Sequence, residues 1–173
     1  MSEAVLGSAP GSAGQGPEMM TIIAFSGELD KLWPTMILSS TAAASGMDVT
    51  VFYTFWGLFP LVKENVRITG HDAMTKMLAG MNGPSFTRAK LSRYSMGGMG
   101  NWMMRKVAKK GNLLPPEDLF AMCQDLGVNM WPCQMTMDLL GIRPDQMIDG
   151  LGEPVGAATA LARMSKSQIN LFI

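Results

Sequence analysis

The period of the apolar positions changes several times along the chain, and each change marks a predicted element. "MMTIIAFSG", Met19 to Gly27, is a continuous apolar run of strand length that ends in a turn signal, as a buried strand does. In "ELDKLWPTMILSSTAAASGM" the period lengthens. Leu29, Leu32, Trp33, Met36, Ile37 and Ser40 fall at helical spacing, Pro34 comes early, and Gly46 stands where a helix C-cap glycine would. "DVTVFYTFWG", Asp48 to Gly57, is β-branched and aromatic and reads as a second strand. Strand, helix and strand in that order make a βαβ unit, with parallel pairing and a right-handed crossover. "LFPLVKENV" predicts a short helix behind the second strand.

Regularity is then interrupted. Residues 71–111 are broken by glycines and rich in methionine, and predict short helices at Ala73 to Met81, near Phe86 to Tyr94, and at Trp102 to Lys109. The segment reads as a helical insertion in an α/β domain. Beyond it, Leu119, Met122, Cys123 and Leu126 lie at i, i+3, i+4 and i+7, with Glu117 and Asp118 at the positive end of the helix they define. "VNMWPC" is a third strand, "TMDLLGI" a helical turn closed by Gly141, "EPVGAATALARMSKS" a helix and "QINLFI" a last strand. This order predicts a doubly wound, mostly parallel α/β sheet of four to five strands, without internal repeats.

Composition narrows the setting. The chain has 173 residues, 47% of them hydrophobic, which suits one domain over residues 19–173 behind a flexible leader, residues 1–18. The leader lacks the basic start and apolar centre of a secretory signal, which is why it reads as flexible. The longest uncharged apolar run, Val49 to Val62, is shorter than the roughly 20 residues a spanning helix needs. Two cysteines are too few for a disulfide framework, and a cytoplasmic location is expected. Net charge is zero, but Lys63 to Lys110 holds ten basic and two acidic residues, +8, which leaves four basic and twelve acidic residues, −8, elsewhere.

The two cysteines differ in context. Cys123 shares a helix face with Leu119 and Leu126 and reads as a buried structural thiol. Cys133 follows Pro132 at a strand end, where ligands and chemistry collect in parallel sheets, and the positive end of a following helix would favour its thiolate. Local sequence alone leaves open a strand-end cysteine that merely packs. The single histidine, His71, makes a Cys–His dyad a weak reading, and there is no Cys-x-x-Cys pair.

"LGVNMWPCQMTMDLLGI", with "GELDKLWPTMILSSTAAASGMDVTVFYTFWGL", resembles the DsrE/DsrF-like family of sulfur-relay proteins, in its methionine-rich, peroxiredoxin-annotated branch. The resemblance runs from Met19 to Ile173 and implies a DsrE-like, flavodoxin-like α/β fold. It further implies that Cys133 accepts sulfane sulfur as a persulfide and passes it to a partner thiol, as a carrier or sulfurtransferase. TusA-like or rhodanese-like proteins are the implied partners, a homo-oligomer (trimer or hexamer) the implied assembly, and no cofactor or metal is required. Ser26, Gly27, Gln134, Thr136 and Arg143 are candidates for the surrounding pocket. Glu28 and Asp30 after the first strand argue against a phosphate-bearing cofactor there.

The insertion carries a second expectation. Seven of the 31 residues from Met74 to Met104 are methionine, and His71, Met74, Leu78 and Met81 share a helical face. Such a face packs on the domain or on a second subunit, or docks a membrane surface or an acidic partner, with Lys106, Lys109 and Lys110 as contacts. Thioethers could also take copper(I), though their spacing is irregular. The glycines of "MGGMG" lack the strand and the Lys-Ser/Thr of a phosphate loop and read as a hinge. No nucleic-acid partner is expected, because aromatics are sparse among the charges.

Overall fold

The computed structural model describes residues 16–64, 66, 68 and 84–173. In chain order they form β1 (Met19–Ala24), α1 (Leu29–Ala44), β2 (Asp48–Tyr53), a 3-10 helix (Phe55–Leu61), α2 (Met99–Lys110), α3 (Pro116–Asp125), β3 (Asn129–Pro132), α4 (Gln134–Leu140), α5 (Ala157–Met164) and β4 (Ile169–Phe172). The four strands make one parallel sheet in the order β3-β2-β1-β4. The architecture is α/β with a parallel sheet, at the lower end of the expected strand count.

Side chains alternate between the two faces of a strand, and the two faces here are filled unequally. One face presents Ile22, Val51, Tyr53 and Met130 to Leu29, Leu32 and Met36 of α1 and to Leu119, Phe120 and Cys123 of α3. That is the main core. Each fully buried aliphatic or aromatic side chain there contributes roughly 1.5–3 kcal/mol. The other face carries a smaller apolar cluster, Ile23, Phe52, Cys133 and Ala160, beside the buried Thr21 and Thr50, with α5 as its cover. Stability therefore rests on the α1/α3 side, and the α5 side is the thinner layer.

Differences from the expected elements have local causes. The second strand stops at Tyr53, because Phe55 takes a φ of 46° and starts the 3-10 helix, with Gly57 N–H donating to the Phe25 carbonyl at 2.9 Å. The expected helix near Phe86 to Tyr94 is a single 3-10 turn, Phe86–Arg88, followed by an irregular strap. The strap's polar groups bond elsewhere instead of along a helix. Ser92 N–H and hydroxyl donate to Asp30 at 2.9 and 2.7 Å, Leu91 N–H donates to Asn101 Oδ1 at 2.8 Å, and the Lys90 carbonyl accepts from Leu29 N–H at 2.9 Å. The expected helix over "EPVGAATALARMSKS" is confined to α5. The residues before it run alongside β3, where Val155 forms a parallel bridge with Cys133. The expected helix at residues 73–81, and His71 with it, lies outside the described residues. Among the described residues no helix is long and apolar enough to cross a membrane.

Candidate functional site

Cys133 caps α4. Its backbone is extended (φ −79°, ψ 113°), its carbonyl accepts the Met137 N–H at 3.0 Å, and its own N–H donates to the Tyr53 carbonyl at 2.9 Å. On the outer side, Val155 N–H donates to the Pro132 carbonyl and Gln134 N–H to the Val155 carbonyl, at 2.9 and 3.0 Å. The residue is thus held from both sides at the carboxyl end of β3. Strand alternation aims its side chain at the α5 face, among Ile23, Phe52 and Ala160, with Trp131, Val155 and Met164 packed around them. The thiol-bearing residue is 2% exposed. Its cover is α5 and the Val155 segment, neither of which the local sequence around the cysteine reveals.

The Val155 segment is held by the backbone bonds above, and α5 is tied down by Arg163. Arg163 of α5 donates to Thr50 Oγ1 at 2.9 Å and to the Asp48 carbonyl at 3.4 Å, and pairs with the Asp48 carboxylate, all at the start of β2. An arginine near the end of a short helix looks like an ordinary solvated charge in the sequence. Its partners come from a strand more than a hundred residues earlier.

The other candidate residues fall in different places. Thr136 is fully buried on α4 and braces the turn after β2, its hydroxyl meeting Thr54 Oγ1 at 3.1 Å and accepting the strained Phe55 N–H at 3.3 Å. Gln134 is exposed and donates to Asp138 at 2.8 Å. Arg143 is exposed and forms a forked pair with Asp145 at 3.0 and 3.1 Å. That pair raises the guanidinium pKa and lowers the carboxyl pKa. Ser26 and Gly27 follow β1 and line a separate cleft with Trp56, Lys31 and Arg88. Thr136 is therefore joined to the turn beside Cys133, whereas Ser26, Gly27 and Arg143 lie away from the thiol's packing partners.

Cys123 occupies the opposite face of the sheet. It has no exposure, its Sγ donates to the Met36 carbonyl at 3.5 Å, and burial pushes its thiol up to about 11. Both cysteines are free thiols.

The basic segment forms a distinct surface. Of the twelve residues of α2 only Ala108 is buried, while Met99, Trp102, Met103 and Val107 are all more than half exposed. Lys106 lies 4.5 Å from the Trp102 ring centroid, and Arg105 turns inward to the Phe86 carbonyl at 2.7 Å.

Residues 17–172 match the DsrE/DsrF/DrsH-like family. The chain is 37% identical over 153 residues to the uncharacterized protein YrkE of Bacillus subtilis (strain 168), covering 88% of this chain and 95% of that one. It is 40% identical over 157 residues to the sulfur carrier protein DsrE2 of Allochromatium vinosum, covering 89% and 97%. Among solved structures, the ychN protein from E. coli superimposes with a TM-score of 0.53 at 10% identity, over 91% of this chain and 99% of that one, a likeness of fold.

Proposed function

The chain belongs to the DsrE/DsrF/DrsH-like family, and from that premise we propose that it is a sulfur carrier that loads and unloads through Cys133. The observation that carries the reading is the position of Cys133, the first residue beyond β3 and the N-cap of α4, in a chain 40% identical to a protein named as a sulfur carrier. Loading is thiol–disulfide exchange chemistry. The Cys133 thiol gives its proton to solvent, its sulfur attacks the sulfane sulfur of a polysulfide, one S–S bond forms and another breaks, and the shortened polysulfide leaves. Unloading repeats the step with a partner thiolate attacking the outer sulfur and Cys133 leaving. Neither step requires a metal, flavin or nucleotide.

Burial of Cys133 sets a condition on this chemistry. The thiol exchanges only when α5 and the Val155 segment lift, so the cover limits loading and shields the persulfide from stray reductants between transfers. TusA-like or rhodanese-like carriers fit the role of partner, since each presents a thiol. A homo-oligomer, trimeric or hexameric, is part of the same proposal. It is supported by the exposed β4 and by Phe172, 70% exposed and stacked on Phe25 at 5.7 Å. The cytoplasm, where thiols stay reduced, is the compartment that suits it.

The test is to incubate reduced protein with polysulfide, thiosulfate and tetrathionate and to map adducts by mass spectrometry. A reductant-reversible sulfur adduct in wild type and Cys123→Ala, absent from Cys133→Ala, is the expected result. Adducts confined to Cys123, or none from any donor, contradict it.

A second reading is favoured by α2. Its exposed Met99, Met103 and Val107, flanked by Lys106, Lys109 and Lys110, suit peripheral contact with an anionic surface. Salt-sensitive cosedimentation with anionic vesicles, lost in Lys106→Gln/Lys109→Gln/Lys110→Gln, supports it. Equal recovery with zwitterionic vesicles counts against it.

A further inference from the structure

The chain passes from β1 to β2 through α1 on one face of the sheet, and it reaches β4, on the other side of β1, through α5 on the opposite face. The strand order therefore reverses between β1 and β4, the place where open parallel sheets form a crevice beyond their carboxyl ends. A cleft of about 580 Å³ lies there, lined by Phe25, Ser26 and Gly27 after β1 and by Ile173 after β4. Its size falls in the range of small-molecule pockets, roughly 300–1,000 Å³.

Two unlike walls close it. One is apolar and rigid. Trp56 and Phe59 stack with centroids 5.9 Å apart beside Pro60, and Gly27 packs so closely on this wall that a side chain at position 27 would meet the Trp56 carbonyl and the Pro60 ring. The other wall is cationic. It carries Lys31 from α1 and Arg88 from the 3-10 turn, with the Glu28 carboxylate beside them. Glu28 is partly occupied, accepting from Ser26 Oγ at 3.0 Å. The strap that follows Arg88 is fixed to the first turn of α1 by the Ser92–Asp30 bonds and by the Lys90 carbonyl, so the backbone leaving Arg88 is anchored. Ser85, at the root of the strap, holds a φ of 82° without being glycine, a strained conformation of the kind found at ligand clamps.

We propose that this cleft binds a small organic anion. A single carboxylate or sulfonate head lies on Arg88 and Lys31, and a flat apolar body lies against Trp56 and Phe59. A polyphosphate fits poorly, because Glu28 stands among the cations. The site is separate from the sulfur chemistry proposed for Cys133, which packs among Ile23, Phe52 and Ala160 on the α5 face.

The test uses the full chain and two probes of the same shape, 8-anilino-1-naphthalenesulfonate and the uncharged N-phenyl-1-naphthylamine, followed by fluorescence titration. The expected result is saturable one-to-one binding of the sulfonate, about tenfold tighter than the neutral amine, as a charge-assisted contact provides. Lys31→Gln/Arg88→Gln abolishes that advantage and leaves the amine unchanged, whereas Lys106→Gln/Lys109→Gln on α2 affects neither. Both pairs change exposed side chains, and circular dichroism verifies that the fold is kept. Cys133→Ser retains sulfonate binding, so loss of the sulfur-relay reading and loss of this one are distinguishable. Absence of saturable binding, an undiminished preference for the sulfonate in Lys31→Gln/Arg88→Gln, or its loss in the α2 pair instead, overturns the proposal.

Discussion

Replacing Arg163 by methionine keeps most of the aliphatic stem and removes the anchor of α5. The lost contacts are the charged N–H donation to Thr50, weaker ones to the Asp48 carbonyl and the Met19 sulfur, and the ion pair with the Asp48 carboxylate. A hydrogen bond from a charged donor is worth about 1.5–3 kcal/mol. The ion pair adds little, at most about 1 kcal/mol, because the Asp48 side chain is 36% exposed and water screens it. The helix's other ties are few: Ala160 is its one buried residue, Met164 packs half-buried beside it, and the Met164 carbonyl accepts from Asn170. A loss of about 1.5–3 kcal/mol in local closing free energy raises the open population about 10- to 100-fold at 1.4 kcal/mol per decade. The assay is native-state alkylation by N-ethylmaleimide, with each cysteine quantified by peptide mass spectrometry. Cys133 in Arg163→Met is expected to react 10- to 100-fold faster than in wild type, at an unchanged Cys123 rate. A Cys133 rate within a factor of about two of wild type refutes the cover. A parallel rise at Cys123 refutes it too, because global loosening would then be the cause.

Three further outcomes follow from the packing. The Cys123 thiol is raised by burial to about 11 from an ordinary value near 9, so the folded state keeps a proton that the unfolded chain releases. Its contribution is therefore full below pH 9 and lost as pH rises from 9 toward 11, and urea titrations at pH 8 and 10.5 should show a smaller drop in Cys123→Val. Thr136→Val leaves the Phe55 N–H without an acceptor beside a buried methyl, which costs about 1–3 kcal/mol in chemical denaturation. Gly57→Ala drives a Cβ into the Ala24 carbonyl at the end of β1, and backbone must shift, at about 1–3 kcal/mol in the same assay.

Periodicity made the framework legible. Met19–Ala24, Leu29–Ala44 and Pro116–Asp125 stand where their apolar patterns place them, because strands buried on both faces and helices buried on one leave different spacings in a chain. The end of the second strand was not legible, since Phe55 and Trp56 continue the aromatic composition and only a positive φ at Phe55 breaks the ladder. The strap after Phe86 has the sequence of a helix for a related reason. Its bonds to Asp30 and Asn101 are long-range, and no local pattern encodes them. The position of Cys133 at a strand end was readable from "NMWPCQ". Its cover was not, because Val155, Ala160 and Arg163 arrive through a crossover. Nor was the grouping of Lys31 with Arg88 across from Trp56, although the excess of basic residues between Lys63 and Lys110 marked half of that pair.

Carriage of sulfur on Cys133 requires that it move on to another thiol. The most direct measurement is a chase: wild type and Cys133→Ala are loaded with polysulfide, freed of excess donor, and mixed with a reduced TusA-like protein, and the intact masses of both proteins are followed. The expected result is stoichiometric movement of one sulfur atom from wild type to the acceptor cysteine, and none from Cys133→Ala. Sulfur that stays on the loaded protein, or transfer that proceeds equally from Cys133→Ala, contradicts it.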